Sequence, residues 1–318
     1  MTHMWVRSSF TLSLSIVLLA IPFLGQAQTL TAEAGAAALD PTTVGPTSTL
    51  AGPWELAVEG RIGAPTGRLK VGEFPTGPFK AGGGGTPGTS LRLRELGIDV
   101  SGALDASVAF RLTPQDAIRA SYLYYFLRGS TTVDGPSVVF NGAEFGRGPL
   151  DTNADFYRVS LAYERTLFGR PSGPQVVASA GLTYVHLDPS LTGHVVGQSS
   201  SEASGGSNSE DFYRQELPVP IVGLHWDHPL SSRLLLRMSV EGGGLPRVDS
   251  LRKEGGTVYL QQSHADASVG LAYILGPHAQ LDAGYHFTYF FQHEKSHEDN
   301  NLFELIDNSA QVRLTLRF

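Results

Sequence analysis

The sequence predicts an all-β chain, a transmembrane antiparallel up-and-down β-barrel of about ten strands, with eight or twelve as alternatives. Three observations carry this expectation. From Trp54 onward the residues alternate with period two, which in a strand sends successive side chains to opposite faces. One of those faces is apolar and aromatic while the other carries arginines, carboxylates, histidines and serines, the inverse of a barrel that sits in water. Short turn sequences alternate with long polar connections, so that an even number of strands would leave both chain ends on the short-turn side.

The N-terminal residues read as an export signal. Arg7 precedes an apolar stretch from Phe10 to Leu24, and Gly25 and Ala27 are small residues at the positions a signal peptidase needs. Cleavage before Gln28 would leave 291 residues (318 minus 27). The apolar run is shorter than the ~20 residues of a spanning helix, and no second such run follows. Residues 28 to 53, rich in Ala, Thr, Gly and Pro, show no sustained period and read as a flexible periplasmic leader. The barrel domain is expected over 54 to 318.

Composition agrees with many strands and turns. The chain has 37 Gly, 16 Phe, 11 Tyr and 3 Trp, with 17% charged residues. Cys is absent, so strand pairing and packing must supply stability without disulfides. A net charge of −7 argues against a nucleic-acid partner.

The expected strands are 54 to 64, 91 to 112, 117 to 129, 154 to 167, 175 to 187, 212 to 227, 233 to 242, 257 to 274, 279 to 292 and 305 to 318. Turn formers mark the short connections near 113 to 116, 168 to 174, 228 to 233 and 275 to 280. Long connections fall at about 65 to 90, 129 to 153, 188 to 211, 242 to 257 and 293 to 304. Twelve strands would result if 91 to 112 were two strands joined near Ser101 and Gly102, and eight if one hairpin lay within a loop. The apolar patch Val138, Val139 and Phe140 in the second long connection predicts a fold over the barrel mouth or a short strand of its own. Segment 197 to 210 reads as disordered.

The last strand shows the alternation best. Ala310, Val312, Leu314, Leu316 and Phe318 form one face, and Ser309, Gln311, Arg313, Thr315 and Arg317 the other. On these residues the chain resembles the bacterial outer-membrane β-barrel superfamily, whose members commonly end in an aromatic residue on an alternating strand. The resemblance implies a cell outer-membrane location. It also implies outer-membrane lipid and lipopolysaccharide as surroundings, and recognition of Phe318 by the barrel-assembly machinery.

By parity the polar lining comprises Arg119, Arg158, Arg237, Glu241, His264, Asp266, Asp282, His286, Arg313 and Arg317, together with Glu55, Glu59, Arg61, Arg111, Glu164 and Arg233. Both signs are present, and about ten strands enclose a lumen that side chains nearly fill. Ionic packing or a narrow channel is expected rather than a wide pore. His264, Asp266 and Ser268 share a face near Asp282 and His286, yet no Gly-x-Ser-x-Gly elbow supports a nucleophile. His293 and His297 bracket HEKSH, a formal match to a zinc motif. That motif needs a helix, whereas this stretch continues an aromatic strand into EDNN, so His293 and His297 are candidate ligands of a loop metal at most, and no cofactor is expected.

The functional expectation is a narrow channel or a structural and surface-interaction protein, with an outer-membrane hydrolase as the alternative. The omptin proteases are similar in having about ten strands. Their paired aspartates and Asp–His couple at the extracellular rim have no residue-by-residue counterpart in this sequence.

Overall fold

The computed structural model describes residues 52–72, 88–169, 173–198, 207–209, 218–249, 259–295 and 300–318. The signal segment 1 to 27, the leader 28 to 53 apart from Gly52 and Pro53, and His297 lie outside them.

In chain order the strands are β1 (Trp54–Lys70), β2 (Leu91–Arg92), β3 (Ser101–Arg111), β4 (Asp116–Phe126), β5 (Arg128–Val133), β6 (Val138–Phe140), β7 (Ala143–Asn153), β8 (Phe156–Gly169), β9 (Gln175–Leu187), β10 (Ser190–Gln198), β11 (Ser207–Ser209), β12 (Val219–Pro229), β13 (Leu234–Asp249), β14 (Tyr259–Gly276), β15 (Ala279–Lys295) and β16 (Asn300–Arg317). Ten of them form one antiparallel sheet in the order β1, β3, β4, β8, β9, β12, β13, β14, β15, β16, and β16 pairs back onto β1. The sheet is a closed ten-stranded up-and-down barrel. Closure reaches the last residue, where the Phe318 and Trp54 amides each donate to the other's carbonyl at 3.1 Å. Such closure leaves no edge amide unpaired, which hydrocarbon demands.

Outward and inward faces follow the alternation. On β16, Val312 and Leu314 are 54% and 41% exposed on the outside, whereas Ser309 and Thr315 are 2% and 1% exposed on the inside. On β1 the outer face is apolar from Trp54 to Ala64, a length that fits the ~9 to 11 residues of a membrane-crossing strand. Beyond it the outward residues are Thr66, Arg68 and Lys70, so this part of the strand projects past the apolar band. Aromatic pairs flank the band. Trp54 meets Phe110 at 4.6 Å near the chain ends, and Tyr157 meets Tyr122 at 5.8 Å and His186 at 5.0 Å toward the opposite end.

Connections at the end holding both described termini, the turn end, are short: 112–115, 170–174, 230–233 and 277–278. Those at the loop end are longer. Several sequence expectations change there. The strand expected over 91 to 112 begins only at Ser101, because Leu93–Leu96 form a 3-10 turn that ends in left-handed Gly97. Residues expected as the long loops 129 to 153 and 188 to 211 build a second sheet, in which β11, β10, β7 and β5 are neighbours and β6 pairs with β7. Of the segment read as disordered, Ser207–Ser209 pair with β10, and 199 to 206 and 210 lie outside the described residues. Strand β1 runs on to Lys70, past Pro65 and Gly67, where the alternation ceases to be legible.

The apolar core sits at the loop end. Leu93, Leu96 and Ile98 are 0% exposed and join Leu69, Leu127, Phe145, Leu191, Phe290, Phe303 and others in one buried cluster. The 3-10 turn is therefore a lid packed into the barrel mouth. Reciprocal bonds between Thr89 and Val139 tie the approach to this lid onto β6, with N···O distances of 2.8 and 2.9 Å.

Candidate functional site

The lumen is layered from the turn end upward. In the first layer Glu55 accepts from Arg119 (2.9 Å) and from Arg317 (2.6 Å), and Arg119 also holds Glu164 (2.6 Å) and Ser107 (3.2 Å). Arg237 bridges Asp227 at 3.1 Å and Asp282 at 3.2 Å, and Gln280 donates to Asp282. Arg237 and Asp227 keep 25% and 31% side-chain exposure, so this layer is open to the turn-end vestibule. Arg313 is placed opposite Asp282 and Glu59 by the strand register.

The second layer lies deeper. Asp266 accepts from Arg158 (2.7 Å) and Thr288 (2.8 Å), and His286 stands between Asp266 (3.2 Å) and Gln311 (3.0 Å). Arg61 pairs with Glu59 and lies 3.5 Å from Asp105. Glu241 is the register neighbour of Asp266 on β13. Above it the Tyr125 hydroxyl lies 3.0 Å from Thr288 and 3.4 Å from Asp307, and Asp307 accepts from Ser101 at 2.7 Å.

The third layer is aromatic. Phe156 stacks on Tyr125 (4.8 Å) and on Phe290 (5.3 Å) and meets Phe303 edge-on at 6.0 Å. In the ring order β8 and β15 are five places apart among ten, so Phe156 and Phe290 come from opposite walls. Arg158 on β8 and Asp266 on β14 are four places apart, as are Tyr125 on β4 and Thr288 on β15. Side chains thus touch across the lumen at two successive levels, one ionic and one aromatic, beneath the lid.

This placement decides what the polar groups can do chemically. Ser268 lies opposite His286 in the register, but its hydroxyl is bonded to Ser239 at 2.7 Å, and both His286 ring nitrogens face other partners. A nucleophile activated by histidine is not assembled here. His293 and Glu294 occupy an extended strand and so point to opposite faces, Glu294 buried inside and His293 outward. The glutamate that a zinc helix would bring beside its histidine is on the other side of the sheet. His293 Nε2 lies 3.2 Å from Asn300 Oδ1, and among the described residues no group of three or more His, Asp or Glu is gathered as a metal would need. Arg233, expected inside, is exposed in the turn between β12 and β13.

One luminal cluster was legible only in part: His264 was expected in the lining, whereas Gln262 and Gln292 beside it were not among the expected site residues. On the facing residues of β14 and β15 at the loop end, Gln262, His264 and Gln292 are 0%, 5% and 2% exposed. Both amide atoms of Gln262, both ring nitrogens of His264 and the carbonyl oxygen of Gln292 are buried without a hydrogen-bond partner. An unmet buried polar group costs about 1 to 3 kcal/mol, so five such atoms in one place are a concentrated expense beside the apolar core.

The architecture is a closed ten-stranded antiparallel β-barrel with an apolar outer face. No protein-family model matches the chain, and no curated protein does. Among solved structures it is similar to the outer membrane protease OmpT of Escherichia coli, with 14% identity, a TM-score of 0.45, and coverage of 86% of this chain and 100% of that one. It is also similar to the translocator domain of the autotransporter NalP of Neisseria meningitidis (15% identity, TM-score 0.41, 86% and 91% covered). A further similar structure is the outer membrane protein OprG of Pseudomonas aeruginosa (10% identity, TM-score 0.36, 85% and 97% covered).

Proposed function

We propose that this chain is an outer-membrane barrel with its loop end outside the cell and a sealed lumen, and that it serves as a structural or surface-interaction protein rather than as a channel. The observation that carries this reading is the contact between opposite walls: Phe156 on Phe290, with Arg158 on Asp266 beneath it. A conducting lumen needs a continuous wetted path, and here an apolar aromatic layer and the buried lid stand in series with an ionic one. The inverted exposure of β16 and the aromatic pairs at both margins support the membrane setting. The second sheet then forms a folded platform beyond the membrane, available for contacts at the cell surface.

Reconstitution into planar lipid bilayers tests the sealed lumen. Insertion is verified independently by heat-modifiable gel mobility, and the expected record is silent. Reproducible conductance steps from inserted protein would overturn the proposal in favour of a narrow channel.

A further inference from the structure

We infer that the luminal face shared by β14 and β15 at the loop end is a binding site for a small neutral molecule carrying an amide or hydroxyl group on an apolar body. Gln262 stands opposite Gln292, and His264 opposite Phe290, in adjoining positions of the register. The unpartnered atoms are the Gln262 amide nitrogen and oxygen, the two His264 ring nitrogens and the Gln292 oxygen. They offer N–H donors and lone-pair acceptors side by side, which suits a ligand group that both donates and accepts.

Charge argues the same way. Two carboxylates share this inner face: Asp266 is engaged by Arg158, His286 and Thr288, and Glu294, buried two residues beyond Gln292, has an interaction of its own, so neither is a free charge that would select an ion. The wall on the Phe290 side is apolar. The Phe290 ring lies 5.1 Å from the His264 ring and 5.8 Å from Phe303, and Leu260 and Leu305 are buried in the same region. A water molecule would find polar partners on one side only, whereas a molecule with a polar head and an apolar body would satisfy both sides. Binding here requires no conduction, so its failure is separable from that of the sealed lumen.

Benzamide and toluene serve as probes, the second having a similar ring without the polar head. The unfolding temperature of the detergent-purified chain, read by heat-modifiable mobility, is expected to rise by about 5 °C at ~100-fold excess of benzamide over its Kd and to go on rising with the logarithm of its concentration. Toluene is expected to give no comparable rise, because a site that binds through hydrogen bonds rejects the analogue lacking them. In Gln262→Leu/Gln292→Leu the benzamide effect should vanish while the folded mobility persists. The inference is overturned by the absence of a concentration-dependent rise, by equal effects of the two probes, or by an unchanged effect in the double variant. Should the double variant fail to fold, the wild-type comparison of the two probes decides alone.

Discussion

His293 shows how one residue changes meaning with its secondary structure. It follows the apolar outward run of β15 that ends at Phe291, on the same outward parity, beside Phe291 and Asn300. Burial holds its imidazole below the ordinary histidine range, so the folded state prefers the neutral ring. The unfolded ring takes its proton near pH ~6.5. Stability that this site contributes is therefore present above that pH and is lost as pH falls from there through the lower folded value. Amide exchange at the loop end of the β15 and β16 hairpin, corrected for intrinsic rate, should speed up between about pH 7 and about pH 5. His293→Asn should remove that pH dependence, and an identical profile in the variant would refute the assignment. The HEKSH string was legible as a motif, but its chemistry presumes 3.6 residues per turn. The strand has two, and that difference separates His293 from Glu294.

At the scale of elements, the ten barrel strands were legible because a barrel with an apolar exterior and a polar lumen imposes a one-sided pattern along each strand. Beyond the apolar band the pattern fades. Beyond Ala64, β1 continues through Pro65 and Gly67, residues that ordinarily interrupt a strand. Here a Cβ on Gly67 would overlap the Glu304 carbonyl, so glycine permits the close pairing that carries the strand on. The lid was misread for the opposite reason. The run LRLRELGIDV alternates leucine with arginine as a strand would, yet Glu95 accepts from the Arg92 amide at 2.7 Å and Gly97 turns left-handed, closing a 3-10 turn. Gly97 adopts φ +75°, and a Cβ there would meet the Ser130 backbone of β5. Gly97→Val should therefore cost about 1 to 3 kcal/mol and loosen the lid. Limited proteolysis is the measurement: cleavage within residues 88–100 should accelerate while the barrel fragments stay protected. Unchanged protection would show that the lid does not depend on that turn.

For the whole molecule, parity alone assigned side chains to the lumen, but it could not say which of them meet. The partners of Arg158, Tyr125 and Phe156 come from strands four or five places away around the ring, and that depends on strand number and closure rather than on local pattern. Long-range closure also turns a list of opposite charges into stacked barriers. Because the ionic layer, the aromatic layer and the lid act in series, removing one should leave the others sealing. Arg158→Ala would strand the Asp266 carboxylate at a cost of about 3 to 5 kcal/mol, and Phe156→Ala would cost about as much through its cavity, yet each is expected to be silent in a planar bilayer. Conductance steps should appear only when both changes are combined with a glycine-serine replacement of residues 91–98. Steps from Arg158→Ala alone would mean that the ionic layer is the sole barrier, and the serial seal would be wrong. A silent combined variant that still shows heat-modifiable mobility would place the seal elsewhere in the barrel.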